Sequence, residues 1–358
     1  MKRRAFLSGP LLLLLPGRAA AAEYPSYPQV SAGRSLVFPR DHGSHPAYRT
    51  EWWYITGWLR SKQGDDLGMQ ITFFRSRPGI GEENPSRFAP RQLLFAHGAL
   101  SDARAGRLLH DQRAARDGFG LAEASEADTD VRVQEWSLKR HGEGYEARIA
   151  AREFEYALRF WPTQPLLLQG EGGFSRKGPD SRHASYYYSR PQLAVSGSAT
   201  VKGKKIELTG TAWLDHEWSS EGMAAGAAGW DWVGLNLADG GALMAFRMRD
   251  RKGGTYWAGG THRDGARRMR TFRPDEIEFE PLRRWRSPRT QAEYPVAMRI
   301  RAGTMELMLE PSMDDQELDS RASTGTIYWE GAVRARDGAG PAGQGYLELT
   351  GYWKPLKL

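Results

Sequence analysis

Two short runs of this chain combine carboxylic acids, a histidine and several tryptophans, a combination suited to acid-base chemistry in an apolar site. They read Glu51-Trp52-Trp53-Tyr54 and Trp213-Leu214-Asp215-His216-Glu217-Trp218. An acid shielded from water has a raised pKa and can donate a proton, with a histidine as its partner, and indole faces can stabilise a cationic intermediate. The runs therefore indicate four candidate catalytic residues: Asp215, His216, Glu217 and Glu51.

A structural role for the same runs stays open, in which the tryptophans close the ends of a barrel and the polar groups bond to the backbone or to an arginine. In a β-strand, successive side chains point to opposite faces. Asp215 would then face away from His216, and Trp52 away from Trp53. Each run would therefore divide its side chains between two sides of a sheet.

The chain also repeats itself, in the same order, over most of its length. Residues 206–213 read Ile-Glu-Leu-Thr-Gly-Thr-Ala-Trp and residues 347–353 read Leu-Glu-Leu-Thr-Gly-Tyr-Trp. Weaker echoes join residues 51–54 to 230–233, 67–75 to 242–249 and 156–162 to 305–311. Because the spacing is far longer than the roughly 20 to 50 residues of a solenoid repeat, it predicts two similar domains.

Strand-like alternation of apolar and polar residues, with Gly- and Asp-rich turns between the runs, predicts an all-β fold. Each copy is long enough to close an antiparallel barrel of about eight strands with an apolar lumen. We expect one barrel over residues 23–213 and a second over residues 214–358, with a Gly- and Ala-rich junction before Trp230. The predicted fold is two tandem antiparallel β-barrels that arose by internal duplication.

Residues 1–22 have the features of an export signal: a basic start, an apolar run at residues 11–15 and an Ala-rich cleavage site near Ala22. Arg3 and Arg4 resemble the twin-arginine signal, and ordinary export is the alternative. The mature protein is expected in the periplasm or outside the cell. No stretch has the roughly 20 consecutive apolar residues of a membrane span.

Composition and failed motif searches exclude several classes of function. The chain has no cysteine, which excludes disulfides and thiolate chemistry. Four of its +7 formal charges lie in residues 1–22, and its other basic clusters are interleaved with acids, so nucleic acid is not an expected partner. His216-Glu217 lacks the second histidine of a zinc-protease motif. Residues 338–343 match the glycine pattern of a dinucleotide-binding motif, but they lead into a strand and not a helix, which indicates a hairpin loop. We expect neither metal nor cofactor.

Aromatic residues and histidines near the two runs, and at matching places in the two copies, are candidates to line a ligand cavity, although each could instead pack in a core or support a turn. His97 and His262 occupy comparable places, as do residues 186–189 and 327–330. The candidate ligand-binding residues are Trp52, Trp53, Tyr54, His97, Trp213, Trp218, Trp230, Trp232, His262, Tyr328 and Trp329.

At these residues the chain resembles the AttH-like and carotenoid hydratase-like proteins, often called predicted secreted hydrolases. The motifs are Glu51 to Tyr54 with Gly57-Trp58, Phe95-Ala96-His97, Trp213 to Trp218, Gly229-Trp230-Asp231-Trp232, Gln316-Glu317-Leu318, Tyr328 to Ala332 and Gly345 to Tyr352. The resemblance covers nearly all of the expected mature chain. It implies two lipocalin-like domains and genes beside ABC-type exporters of the lipoprotein-releasing kind.

The carotenoid hydratase branch implies water addition to a carbon-carbon double bond without a cofactor. Its His-x-Trp motif is matched by His216-Glu217-Trp218, but the Tyr-x-Asp expected near residues 242–248 is absent. Asp215, Glu217 or Glu51 would have to supply that acid.

Three classes of function therefore remain open. The chain could be a carrier that holds a lipid or isoprenoid ligand in an aromatic cavity as a periplasmic accessory to an ABC-type exporter. It could instead be a hydratase or hydrolase that acts on such a ligand. In the third interpretation the barrels are filled by side chains, and the protein works through its surface.

Overall fold

The computed structural model describes residues 26–356. The predicted export signal at residues 1–22 and its cleavage site lie outside the described residues. Within residues 26–356, no helix is long and apolar enough to cross a lipid bilayer. The regular structure in this range is β-strands with short 3-10 turns at Arg40–His42, Ala103–Ala105 and Pro274–Glu276, which confirms the all-β prediction.

The first antiparallel sheet has 13 strands and curls into a nearly closed barrel around an apolar core. Its strands are β1 Thr50–Ser61, β2 Asp66–Ser76, β3 Leu93–Ser101, β4 Leu109–Arg116, β5 Ala122–Ala124, β6 Asp130–Val133, β7 Trp136–His141, β8 Gly144–Ala150, β9 Phe154–Pro162, β10 Leu167–Leu168, β11 Phe174–Arg176, β12 Ala184–Val201 and β13 Lys204–Ser219. Their order is β4-β3-β2-β1-β13-β12-β9-β8-β7-β6-β5, and β10 and β11 pair with β12.

The second antiparallel sheet has 10 strands and its own apolar core. Its strands are β14 Gly229–Leu237, β15 Ala242–Arg249, β16 Thr255–Arg263, β17 Met269–Phe272, β18 Ile277–Arg286, β19 Glu293–Ala302, β20 Met305–Pro311, β21 Glu317–Asp319, β22 Ile327–Asp337 and β23 Gly340–Leu349. Their order is β17-β16-β15-β14-β23-β22-β20-β19-β18, and β21 pairs with β22.

The two sheets share one connectivity, which confirms the internal duplication. In each sheet the opening strand, β1 or β14, lies between the strand that follows it and the closing strand, β13 or β23. The echo between residues 206–213 and 347–353 falls within β13 in the first copy but runs past the end of β23 in the second, so the two segments lie at different registers. Leu208 pairs with Ser61 at the far end of β1, whereas Leu349 pairs with Asp231 near the start of β14.

The strand β13 runs through the predicted domain boundary between residues 213 and 214 and stays in the first sheet as far as Ser219. The chain passes to the second sheet over residues 220–228. Asp215, His216 and Glu217 therefore belong to the first sheet.

The sheets dock on each other through hydrogen bonds and a shared aromatic cluster. Trp58 Nε1 donates to the Gly345 carbonyl at 3.0 Å, and Asn236 Nδ2 donates to the Ala212 carbonyl at 3.1 Å. The cluster between the sheets includes Tyr54, Trp58, Tyr187, Trp213, Trp232, Phe246 and Tyr346.

Strands β1 and β13 form the wall between the core of the first barrel and this cluster. Leu214 and Trp218 face the barrel core, while Trp213 faces the second sheet. Trp53 likewise faces the core and Tyr54 the second sheet. The predicted alternation of both runs is confirmed.

Candidate active site

Carboxylic acids collect on both sides of the wall formed by β1 and β13, in two different environments. On the barrel side, five buried side chains form what we call the inner cluster: Asp41, His45, Glu51, Arg75 and His216. On the side of the second sheet, a cavity separates the two sheets.

Glu51 is at the centre of the inner cluster, where both of its oxygens accept hydrogen bonds. Oε1 accepts from His45 Nδ1 at 2.7 Å and from His216 Nε2 at 2.9 Å. Oε2 accepts from Arg75 Nε at 2.8 Å and from the His45 backbone amide at 2.8 Å. Burial alone would raise the pKa of Glu51, but the two histidines and the charge of Arg75 hold it well below its ordinary value.

His45 lies between two carboxylates. Its Nδ1 is 2.7 Å from Glu51 Oε1, and its Nε2 is 3.1 Å from Asp41 Oδ1. The ring stacks on the Trp218 indole at 3.7 Å between centroids and 7° between planes. These contacts fix the position of the imidazole within the inner cluster.

His216 is the neutral member of the cluster. Burial lowers the pKa of His216, although the hydrogen bond to Glu51 opposes this. The ring stacks on Trp53 at 4.8 Å, and its Nδ1 is 3.2 Å from the Tyr188 hydroxyl. These contacts hold His216 within the barrel, away from the second sheet.

His45, Glu51 and His216 are also the group of described residues whose donor atoms lie close enough together for a metal ion, within 4.8 Å of one another. A divalent ion would replace the histidine protons that now bind Glu51, and it would lie beside the positive charge of Arg75. The present contacts satisfy each donor and acceptor without a metal, so the cluster favours a structural role for these three residues.

The cavity between the sheets has a volume of about 420 Å³ and is lined mainly by aromatic and aliphatic side chains. Its volume is in the usual range for sites that bind small molecules. The apolar lining comes from both sheets and includes Trp52, Tyr54, Phe74, Phe95, Tyr187, Met223, Trp230, Trp232, Phe246, Met248 and Tyr328.

Asp215 borders the cavity and accepts three hydrogen bonds. Trp213 Nε1 donates to Oδ1 at 2.6 Å, Ser189 Oγ donates to the same oxygen at 2.5 Å, and Tyr187 donates to Oδ2 at 2.7 Å. Burial raises the pKa of Asp215 to about 7 even though these hydrogen bonds oppose the change. Asp215 is therefore held rigidly and is partly protonated at neutral pH.

Glu348 and Glu330 reach the same cavity from paired positions on β23 and β22. Burial, together with the negative charges of Asp215 and Glu217, raises the pKa of Glu348 to about 7. Burial and the neighbouring Glu348 raise the pKa of Glu330 well above its ordinary value. A hydrogen bond from Trp230 opposes the rise in the pKa of Glu348, and Glu330 Oε1 is buried without a hydrogen-bond partner within residues 26–356. Within the same residues, Glu348 has no cationic partner.

Lys177 neutralises the remaining acid of β13 on the cavity side. Its Nζ is 2.9 Å from Glu217 Oε1, and Ser185 Oγ also donates to that oxygen. The ammonium group lies over the rings of Tyr187, at 4.8 Å, and Phe246, at 4.4 Å. Glu217 is thus a paired carboxylate, unlike Glu348.

The structure brings together only part of the set proposed from the sequence. The cavity is bordered by Asp215, Glu217, Trp52, Tyr54, Trp230, Trp232 and Tyr328, and Trp213 supports it through Asp215. Glu51 borders it, but with a carboxylate committed to the inner cluster. Strand alternation turns Trp53, His216 and Trp218 into the first barrel and Trp329 into the second.

The two histidines at matching places also stay outside the cavity lining. His97 lies behind Tyr328, whose hydroxyl is 2.9 Å from its Nδ1, and it contacts Ser323 Oγ at 2.8 Å. His262 lies on β16, which is separated from β14 by β15. Burial lowers the pKa of both rings.

Sequence reasoning missed Glu330, Glu348, Lys177 and the contact of Tyr187 with Asp215. Glu348 lies in the echo at residues 347–353 and Glu330 in the matched segment 327–330, but the sequence pattern singles out neither acid as a site residue. The available signal was the acid between Leu347 and Leu349 at the end of a closing strand. This pattern gave no indication that the first sheet covers Glu348.

Comparisons with known proteins confirm the resemblance. The family model described as AttH-like matches residues 29–352. The structure of a protein assigned as AttH, from Nitrosomonas europaea, is 51% identical, with 91% of this chain and 99% of that chain covered and a TM-score of 0.86. No curated protein matches the chain.

Two further structures are similar in fold at low sequence identity. Kievitone hydratase from Nectria haematococca is 14% identical, with 92% and 98% of the two chains covered and a TM-score of 0.70. CghA is 12% identical, with 88% and 93% covered and a TM-score of 0.53. These two similarities show the shared fold.

Proposed function

The chain belongs to the AttH-like family, and from that premise we propose that it binds an apolar, unsaturated molecule between its sheets and adds water to a carbon-carbon double bond, or removes it. One observation carries this proposal: Glu348 and Asp215, each with a pKa near 7, border an aromatic cavity. A group that titrates near the working pH can both donate and accept a proton.

The apolar substrate class follows from the lining. Trp52, Trp230 and Trp232 present large aromatic surfaces and few hydrogen-bonding groups. Such a surface binds hydrocarbon chains and rings, and its faces favour a positive charge that develops on carbon. A lipid or isoprenoid alkene meets both conditions.

Glu348 is the proposed proton donor. Its proton is transferred to one alkene carbon, the π electrons form the new carbon-hydrogen bond, and the other carbon becomes cationic. Water then forms a bond to that carbon and loses a proton to a second carboxylate, so that one water is added overall. Asp215, which borders the cavity and is held by the Tyr187 hydroxyl, can take this proton.

The similarity in fold to a protein named kievitone hydratase supports this choice of reaction class. At 14% identity it identifies no substrate for this chain, so the proposal depends on the residues of the cavity. A carrier for an envelope exporter would need the same apolar lining but no acid with a pKa near 7. The expected partnership with an ABC-type exporter stays a prediction.

The test has two parts. Native mass spectrometry identifies any lipid that copurifies, and a panel of unsaturated fatty acids and isoprenoid alcohols is then incubated in ¹⁸O-labelled water. We expect a product that has gained one labelled water. Glu348→Gln should slow the reaction by roughly 10²- to 10⁴-fold.

Glu207→Gln is the matched control, because Glu207 is an exposed acid on the same strand as Asp215. It should react at the parent rate. A Glu348→Gln variant as active as the parent contradicts the assigned role. A ligand that both proteins bind equally and release unchanged would identify a carrier instead.

A further inference from the structure

Two exposed phenylalanines form a stacked pair on the surface of the first sheet. Phe88 is 66% exposed and Phe119 is 49% exposed, and their rings stack at 4.7 Å between centroids. Ile80 and Leu121, from the same two loops, are exposed as well. Contiguous exposed apolar groups of this size mark an interaction surface more often than a neutral one.

Two arginines lie against this pair, and two more lie at the same end of the first sheet. The guanidinium of Arg116 lies 4.4 Å from the Phe119 ring centre and 4.8 Å from that of Phe88, and Arg87 lies 5.5 Å from Phe119. Arg49, Arg87, Arg91 and Arg116 form no ion pair within residues 26–356, whereas most arginines in this range do. We call these four arginines and the four apolar residues the arginine-aromatic patch.

The patch lies at the end of the first sheet where the cavity begins. Register pairing joins Thr50 to Ser76, Ser76 to Leu93 and Leu93 to Arg116, so the loops that carry Phe88 and Phe119 leave the sheet at this end. Arg49, Thr50 and Ser76 themselves border the cavity. A surface bound by the patch would therefore lie beside the cavity.

We propose that the arginine-aromatic patch docks the protein on a lipid bilayer with anionic headgroups. Aromatic side chains favour the headgroup region of a bilayer, and guanidinium groups pair with phosphates in a bidentate geometry. Unpaired arginines add attraction to anionic lipid, whereas a neutral bilayer would offer the phenylalanines alone. The bilayer is also where an apolar ligand of the cavity would be concentrated. The docking itself requires no catalysis.

Vesicle co-sedimentation of the full chain tests the proposal. We expect binding to phosphatidylglycerol vesicles that weakens with added salt, and weak binding to phosphatidylcholine vesicles. Phe88→Ser/Phe119→Ser and Arg87→Gln/Arg116→Gln should each reduce binding to the anionic vesicles by about tenfold or more. The N-terminal apolar run is present in every protein compared, so it does not contribute to these differences.

Trp161→Ser/Leu282→Ser is the matched control, since these side chains are similarly exposed at 59% and 44% but lie on other strands. It should bind like the parent. Equal binding by the parent and by both patch variants overturns the proposal, as does equal binding to the two lipids. The proposal is also overturned if the parent protein binds neither kind of vesicle. That result would favour a protein as the partner of the patch.

Discussion

Glu51 and Glu348 are both carboxyl groups shielded from bulk water, yet their environments shift their pKa values in opposite directions. Glu51 accepts hydrogen bonds from two histidines and an arginine, and its pKa is held well below its ordinary value. Glu348 has no such partner within residues 26–356, and its pKa is raised to about 7. Because both groups are buried, the number of cationic hydrogen-bond donors decides whether the pKa is lowered or raised. The first environment keeps a carboxylate ionised, and the second favours a carboxyl group that holds its proton up to near pH 7.

The second sheet shows the same principle in a simpler form. Asp231 lies near the start of β14 and accepts from Arg247 Nε at 2.6 Å and from Arg249 Nε at 2.9 Å. Val233, two residues after Asp231, pairs with Leu347, whereas Trp53, two residues after Glu51, pairs with His216. Each opening strand thus carries a buried acid that pairs with arginine, but only in the first sheet does the neighbouring strand place a histidine beside it.

The largest expected effect comes from breaking the inner cluster. Glu51→Gln leaves the charge of Arg75 buried without its carboxylate, and such a loss costs about 3 to 5 kcal/mol. Urea unfolding at pH 7 measures it. Glu207→Gln should change the free energy of unfolding by less than about 0.5 kcal/mol. A similarly small change for Glu51→Gln would contradict the structural role.

Glu348→Gln should raise the free energy of unfolding at alkaline pH, whereas Glu51→Gln lowers it. Because the folded pKa of about 7 lies above the ordinary value of 4.5, stability from protonated Glu348 is complete below pH 4.5 and is lost as the pH rises through 7. Glutamine stays neutral. At pH 8 the variant should be more stable than the parent by about 1 to 3 kcal/mol. This range is reduced because water in the cavity screens the charge. At pH 4 the two proteins should be equally stable. Unfolding curves that differ equally at both pH values would refute this.

Tyr187→Phe should give the smallest effect. It removes one hydrogen bond to Asp215, which costs about 1 kcal/mol when Asp215 is ionised and raises the pKa of Asp215 further. Carbon-13 NMR of the aspartate carboxyls follows this titration. Tyr54→Phe is the control, since the Tyr54 hydroxyl has no partner in residues 26–356. If the pKa of Asp215 shifts in Tyr54→Phe but not in Tyr187→Phe, the hydrogen bond assigned to Tyr187 is contradicted.

Local patterns predicted most of the fold and half of the site. The period-two alternation of β1 and β13 correctly placed Asp215 and His216 on opposite faces, because that geometry depends on neighbouring residues alone. The cavity acids depend on two sheets docking, which no local pattern records. The echo also gave a wrong match. It aligns the exposed Glu207 with Glu348 of the cavity, although the two closing strands pair at different registers.

The cavity exists only while the two sheets are docked, since Asp215 comes from the first and Glu348 from the second. Separation of the sheets would admit water and return both acids to ordinary proton affinities. By thermodynamic reciprocity, deprotonation must then favour separation. Alkaline conditions should weaken the binding of a ligand in the cavity and mildly acidic conditions should strengthen it, so protonation of Asp215 and Glu348 would also control how often the two sheets separate.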